Sequence, residues 1–180
     1  MLDVDNAAGL PVWPAILILG YVTLQRVFEL WFARRNTARL KLRGAVEIAP
    51  AHYFLIVAMH MAWLALLWVT APGEPVDLVL LGVFAAIQLL RIWTLASIGR
   101  RWTTRIIVLR GETLVRRGPY RFLRHPNYLV VALEIAILPC VFQLYAIAIL
   151  FTLLNAGAMA IRIPAESRAL ADYSANHPEG

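Results

Sequence analysis

The amino-acid sequence predicts an all-α, polytopic membrane protein with about five transmembrane helices. Three observations carry the prediction. The 180 residues are 61% hydrophobic with a mean hydropathy of +0.67, far above the globular norm. The apolar residues fall in runs of roughly 20, the length that crosses a hydrocarbon core of about 30 Å. Basic residues gather between alternate runs instead of spreading evenly: all but Lys41 of the 17 are arginine, and the net charge is +6.

The spans follow in order. Pro11 to Ala33 is the first, with Trp13 and Trp31 at its ends, where aromatic rings anchor to the interface. The segment before it carries Asp3 and Asp5 and no basic residue, unlike a cleavable secretory signal, so this run is expected to stay as a helix. His52 to Thr70 is the second span, and Val76 to Ile98 the third. Tyr128 to Val141 is a short fourth and Gln143 to Ile161 the fifth, together read as a helical hairpin broken near Pro139.

Charge sets the orientation. Arg34, Arg35, Arg39, Lys41 and Arg43 follow the first span. Arg100, Arg101, Arg105, Arg110, Arg116, Arg117, Arg121 and Arg124 follow the third, while "APGEPVD" between spans two and three is acidic. The positive-inside rule then places both basic loops and the C-terminus in the cytoplasm and the N-terminus outside. Such charge on so apolar a chain points to membrane lipids as partners and away from nucleic acid. Lone Cys140, in an apolar run, permits no disulfide framework. There is no repeat, no metal-ligand spacing and no Gly-rich phosphate loop.

Ionisable residues inside spans are costly and raise a question of function. Arg26 and Glu29, three apart, share a helix face and can pair with each other. Arg91 admits two readings, snorkelling to its helix end or contact within the bundle. His52 and His60 lie on roughly one face without a third ligand, which favours packing histidines over a metal site. Glu134, inside "VVALEIAILP", must face protein or a cavity, in a site or in a structural pair.

The stretch "RRGPYRFLRHPNYL" adds a second group of candidates. Gly118 and Pro119 make a turn that brings Tyr120 towards His125. Pro126 suits the first helical position and makes His125 the cap, so the free N–H groups of that turn can meet an anionic ligand group. A plain interface anchor of tyrosine and arginine is the alternative. In "RIPAES", Arg162 and Glu166 are four apart and share a face of a helix leaving the membrane, with Pro164 able to kink it.

"GETLVRRGPYRFLRHPNYL", an apolar hairpin and then "RIPAES" resemble the C-terminal core of the isoprenylcysteine carboxyl methyltransferase family. Upstream, "ARRNTARLKLRGAVEIAPAHYFLIVAMHMAWLALLW" and "GRRWTTRIIVL" resemble its bacterial branch, associated with methylation of alkylpyrone or phenolic lipids. The resemblance covers roughly residues 20 to 172. It implies one membrane methyltransferase domain over 1–180, with a three-helix part at 11–98 and a cofactor-binding core at 99–172. It implies an S-adenosylmethionine-dependent O-methyltransferase in the bacterial inner membrane, with a cofactor pocket on the cytoplasmic side. The acceptor would be lipophilic, an isoprenylcysteine or an alkylpyrone, and the oligomeric state stays open.

By position, the resemblance assigns cofactor contacts to Glu112, Thr113, Leu114, Val115, Tyr120, His125, Pro126, Asn127, Tyr128 and Glu166. Arg162 matches the arginine that orients the acceptor, and Glu134 is expected to line the cavity where lipid and cofactor meet. Two departures stand out: Glu112 replaces a common histidine, and Glu166-Ser167 replaces an acidic pair. Two other readings remain. One is a membrane sterol reductase binding NADPH, which shares the Arg-His-Pro-Asn-Tyr region but needs more spans. The other is a non-enzymatic lipid-binding or transport protein.

Overall fold

Pro14 in the first turn of α1 costs no hydrogen bond, because the leading N–H groups of a helix have no carbonyl to meet. From there α1 runs as Trp13–Leu42. It passes the expected end at Ala33 because arginine, leucine and lysine are good helix formers and cations suit a helix C-terminus. Gly44, at φ +86°, ends it: Ala45 N–H reaches Leu40 O and Gly44 N–H reaches Lys41 O, both at 3.0 Å, a Schellman cap.

The computed structural model describes residues 10–48, 50–109 and 115–175. Asp3, Asp5, Arg110, Glu112, Thr113 and Leu114 lie outside the described residues, as does the side chain of His52. After α1 come β1 at Val46–Ile48, α2 at Pro50–Thr70 and α3 at Leu78–Ile98. A 3-10 turn at Gly99–Arg101 leads to β2 at Ile106–Val108, and another at Gly118–Arg121 leads to α4 at Pro126–Val141 and α5 at Tyr145–Ala175.

The all-α expectation holds for the body of the molecule, with one small addition. β1 and β2 pair antiparallel, Val46 opposite Val108 and Ile48 opposite Ile106. Four helices are long and apolar enough to cross a membrane, and α4 is the fifth, shorter apolar helix. Its 16 residues reach about 24 Å at 1.5 Å per residue, as its apolar run suggested. The expected hairpin turns just past Pro139, through Phe142 and Gln143, whose φ is +59°.

Helix ends fix the arrangement. Asp77 caps α3 by accepting from Val79 and Leu80 N–H at 2.9 and 3.0 Å, and its own N–H donates to Val141 O at 2.8 Å. The start of α3 therefore meets the end of α4, and the two run antiparallel. At the other end of α3, Asn36 of α1 donates to Trp102 O at 2.9 Å. The apolar core lies towards the Asp77 end: Leu19, Val22, Trp63, Leu67, Phe84, Leu138, Phe142 and Phe151 pack together. Large apolar side chains such as Leu24, Phe28, Val69, Val79, Leu89 and Leu153 face outward on the perimeter, where a bilayer would cover them. The arginine-rich segments collect at the opposite end.

Candidate functional site

Two arrays of arginine and carboxylate occupy successive levels of the bundle. The first lies beyond the apolar core. Arg26 donates to Glu29 at 3.1 Å and to Glu134 at 2.5 Å. Arg91 donates to Glu134 at 2.5 Å and to both oxygens of Glu29, one of them at 2.5 Å. Gln25 and Gln88 complete the shell, at 3.1 Å to Glu29 and 2.8 Å to Glu134. Two guanidiniums match two carboxylates, so the array is neutral, and it ties α1, α3 and α4 together. His60 stands within electrostatic reach of it and bonds Ile56 O of its own helix at 2.8 Å.

The expected Arg26–Glu29 pair is therefore present, within a larger group. Arg91 takes the bundle contact and not the snorkelling position; it is 2% exposed. Glu134, equally buried, has Arg26, Arg91 and Gln88 as its hydrogen-bond partners. That places it in the ionic array, where paired charges offset the cost of burial.

The second array lies at the basic end, where α4 begins and α5 leaves the bundle. His125 is the N-cap residue of α4 and Pro126 opens the helix, as the motif led one to expect. Tyr128, one turn in, stacks on the His125 ring with centroids 5.4 Å apart. Its hydroxyl accepts from Arg162 Nε at 2.9 Å and donates to the Glu166 carboxylate. Arg162 and Glu166 are thus joined through Tyr128, which stands between the two residues of the i,i+4 pair. Arg162 also donates Nη2–H to Thr104 O at 2.6 Å, anchoring α5 to the segment before β2. α5 stays helical through Pro164, so Arg162 and Glu166 keep one face.

Tyr120 joins this group from the 3-10 turn. Gly118 starts that turn at φ +59° and faces the end of α3, where a Cβ would come 2.9 Å from Ser97 Cβ and 3.2 Å from Trp93 Nε1. Only glycine fits both demands. Arg117 clamps the same contact by donating to Ser97 O at 2.8 Å. Burial, helped by the Glu166 charge, pushes the Tyr120 hydroxyl up to about 12, so it is a neutral donor at ordinary pH. A cleft of about 540 Å³ lies beside it, lined by Arg116, Tyr120 and Arg121.

The structure thus brings Tyr128, Arg162 and Glu166 together with His125 and within electrostatic reach of Tyr120. Asn127 is half-buried, and its Oδ1 has no hydrogen-bond partner among the described residues. Val115 is half-buried at the edge of the described chain. Sequence reasoning missed Thr104 and Tyr53. The Thr104 hydroxyl reaches Tyr53 OH at 3.3 Å, and Arg105 lies over the Tyr53 ring at 4.5 Å. The Thr104 contact to Arg162 uses a backbone carbonyl, which no side-chain pattern can signal.

This arrangement can hold an anionic oxygen. Arg162 spends Nε and one Nη2 hydrogen on the bonds described, and a guanidinium carries five N–H donors. The Tyr128 hydroxyl and, through it, the Glu166 carboxylate stand beside it, and the neutral Tyr120 hydroxyl lies within electrostatic reach of Glu166. The family model described as the isoprenylcysteine carboxyl methyltransferase (ICMT) family matches residues 79–172, which include both α4 and the Arg162 segment. The chain is also 36% identical over 163 residues to uncharacterized protein YpbQ of Bacillus subtilis (strain 168), covering 88% of this chain and 97% of that protein. No solved structure matches.

Proposed function

The chain belongs to the isoprenylcysteine carboxyl methyltransferase family, and on that premise we propose that it is an S-adenosylmethionine-dependent O-methyltransferase of a lipophilic acceptor. The observation that carries the reading is the Tyr128 hydroxyl, which joins Arg162 to Glu166 where α4 starts and α5 leaves the bundle.

The residues present fit the cofactor. Glu166 supplies a carboxylate for an amino or ribose hydroxyl group, the buried Asn127 Oδ1 is an acceptor in want of a donor, and Tyr120 walls an open cleft. His125 and Pro126 open α4 there, and Glu112, Thr113, Leu114 and Val115 precede it in the chain. Bound there, S-adenosylmethionine supplies an electrophilic methyl that passes to an oxygen as its carbon–sulfur bond breaks.

Arg162 does the work at the acceptor. A carboxylate, with a reference pKa of about 4, reaches the site already ionised and needs no general base. An enol or pyrone hydroxyl needs only a cation beside it to stay ionised. Arg162 meets both needs, because a guanidinium binds the oxygen and does not take its proton. Its bonds to Thr104 and Tyr128 hold it in place, and fixed alignment lowers the barrier by making the displacement effectively unimolecular. The acceptor's apolar tail lies among the helices, on the membrane side, and the head reaches Arg162 at the basic, cytoplasmic end.

The full chain in detergent, given S-adenosylmethionine labelled in its methyl group, is expected to move label into the organic phase with an alkylpyrone or a prenylcysteine acceptor. Absence of transfer to acids, enols and phenols of this kind would sink the O-methyltransferase reading.

A further inference from the structure

Thr104 touches two side chains at once. Its carbonyl accepts from Arg162 Nη2 at 2.6 Å, and its hydroxyl reaches the Tyr53 hydroxyl at 3.3 Å. The geometry points to Tyr53, with the Thr104 hydroxyl, as a specificity-determining contact for the acceptor: the pair binds a second oxygen of the head whose first oxygen Arg162 holds. This rests on the O-methyltransferase reading and deepens it, since it favours heads with two oxygens, a carboxylate or a hydroxypyrone, over a simple phenol.

Unspent hydrogen bonding is the first reason. Only one of the two O–H hydrogens can lie between the Thr104 and Tyr53 oxygens, and neither hydroxyl has another partner among the described residues. One donor is left for a ligand. Arg162 likewise keeps N–H donors beyond its bonds to Tyr128 and Thr104. The two groups are separated by Thr104, so a head with two oxygens engages both and a head with one leaves one unused.

Placement is the second reason. Tyr53 is in the first turn of α2 and opens its apolar span, a depth where many tyrosines only anchor to headgroups. Phe54 and Leu55 do face outward there. Tyr53 instead is half-buried, with the Arg105 guanidinium over its ring, 4.5 Å from the centroid. Glu47 holds Arg105 in turn, and the Thr103 hydroxyl fixes the segment by donating to Arg105 O at 2.7 Å. A donor held on several sides is preorganised, which lowers the entropy lost on binding. Tyr53 also lies outside residues 79–172, the part that the family model matches, so the N-terminal helices supply this contact.

The test is equilibrium binding of an alkyl hydroxypyrone, and of an alkylphenol with the same alkyl chain, to the full chain in neutral detergent without S-adenosylmethionine. Binding is read whether or not a methyl group is transferred, so failure of the methyltransferase reading and failure of this one stay distinct. The hydroxypyrone anion also gains from the charge of Arg162, so the deciding readout is the change on substitution. Tyr53→Phe, which keeps the ring beneath Arg105, is expected to weaken the hydroxypyrone about tenfold and the phenol less than about twofold, as one hydrogen bond to a charged group is lost. Thr104→Val, which removes only the supporting hydroxyl, is expected to weaken the hydroxypyrone about threefold. Equal weakening of both ligands by Tyr53→Phe, or of neither, would overturn the proposal. So would a wild type that does not bind the hydroxypyrone.

Discussion

The two arginine–carboxylate arrays differ in closure. In the inner one, the charged groups of Arg26, Glu29, Arg91 and Glu134 satisfy one another, with Gln25 and Gln88 at the edges and the buried Gln88 Oε1 without a partner among the described residues. In the outer one, Arg162 and Glu166 are joined through the Tyr128 hydroxyl; Asn127, the residue before Tyr128, has an oxygen without a partner among the described residues, and a cleft opens at Tyr120. The same residue types therefore serve different ends. A closed, neutral group buried among apolar helices fixes their register, whereas an open group at a bundle end keeps donors and acceptors for a ligand.

That contrast makes opposite predictions for substitutions at successive levels of the bundle. Glu134→Ala leaves Arg26 and Arg91 sharing the single Glu29 carboxylate, one buried positive charge in excess. It is expected to cost about 3–5 kcal/mol of stability, read as a lower thermal midpoint in detergent, while the folded fraction keeps its turnover. Loss of turnover with unchanged stability would move Glu134 from the closed array to the reaction. Arg162→Ala is expected to do the reverse, lowering turnover about 10²–10³-fold, the usual effect of removing a group that stabilises a reacting oxygen. Its thermal midpoint should move little, since the bundle core lies far along α5.

The smallest expected effect concerns the ribbon of β1 and β2. Lys41, and then Arg105, hold the Glu47 carboxyl below its usual range despite partial burial. A lowered folded-state pKa gives stability that is present above the unfolded value and lost as pH falls through the folded one. Amide exchange in Val46–Ile48 and Ile106–Val108 should therefore quicken only below about pH 4.5, the ordinary glutamate value. Faster exchange setting in near neutral pH would contradict the Lys41–Glu47–Arg105 linkage.

Much of this contrast was legible in the sequence, for uneven reasons. The spanning helices were readable from apolar length, and Pro126 and Asp77 stand where helix starts favour them. The Arg26–Glu29 pair was readable because its partners are three residues apart. Arg91 was not, because its fate depends on Glu29 and Glu134, 62 and 43 residues away. The extension of α1 to Leu42 was hidden by its charges, which read as a loop. Strands of three residues are too short to show a two-residue period. Arg162 and Glu166 were legible as a pair, but the tyrosine between them comes from another helix.

The most direct measurement is equilibrium binding of S-adenosylmethionine to the full chain in detergent, with NADPH as the comparison and Glu166→Gln and Arg162→Ala beside the wild type. The account predicts saturable binding of S-adenosylmethionine and none of NADPH, weakened about tenfold or more by Glu166→Gln, where a charge-assisted hydrogen bond is lost. Arg162→Ala should bind nearly as well as the wild type. No saturable binding of S-adenosylmethionine, or equal loss in Arg162→Ala and none in Glu166→Gln, would contradict it.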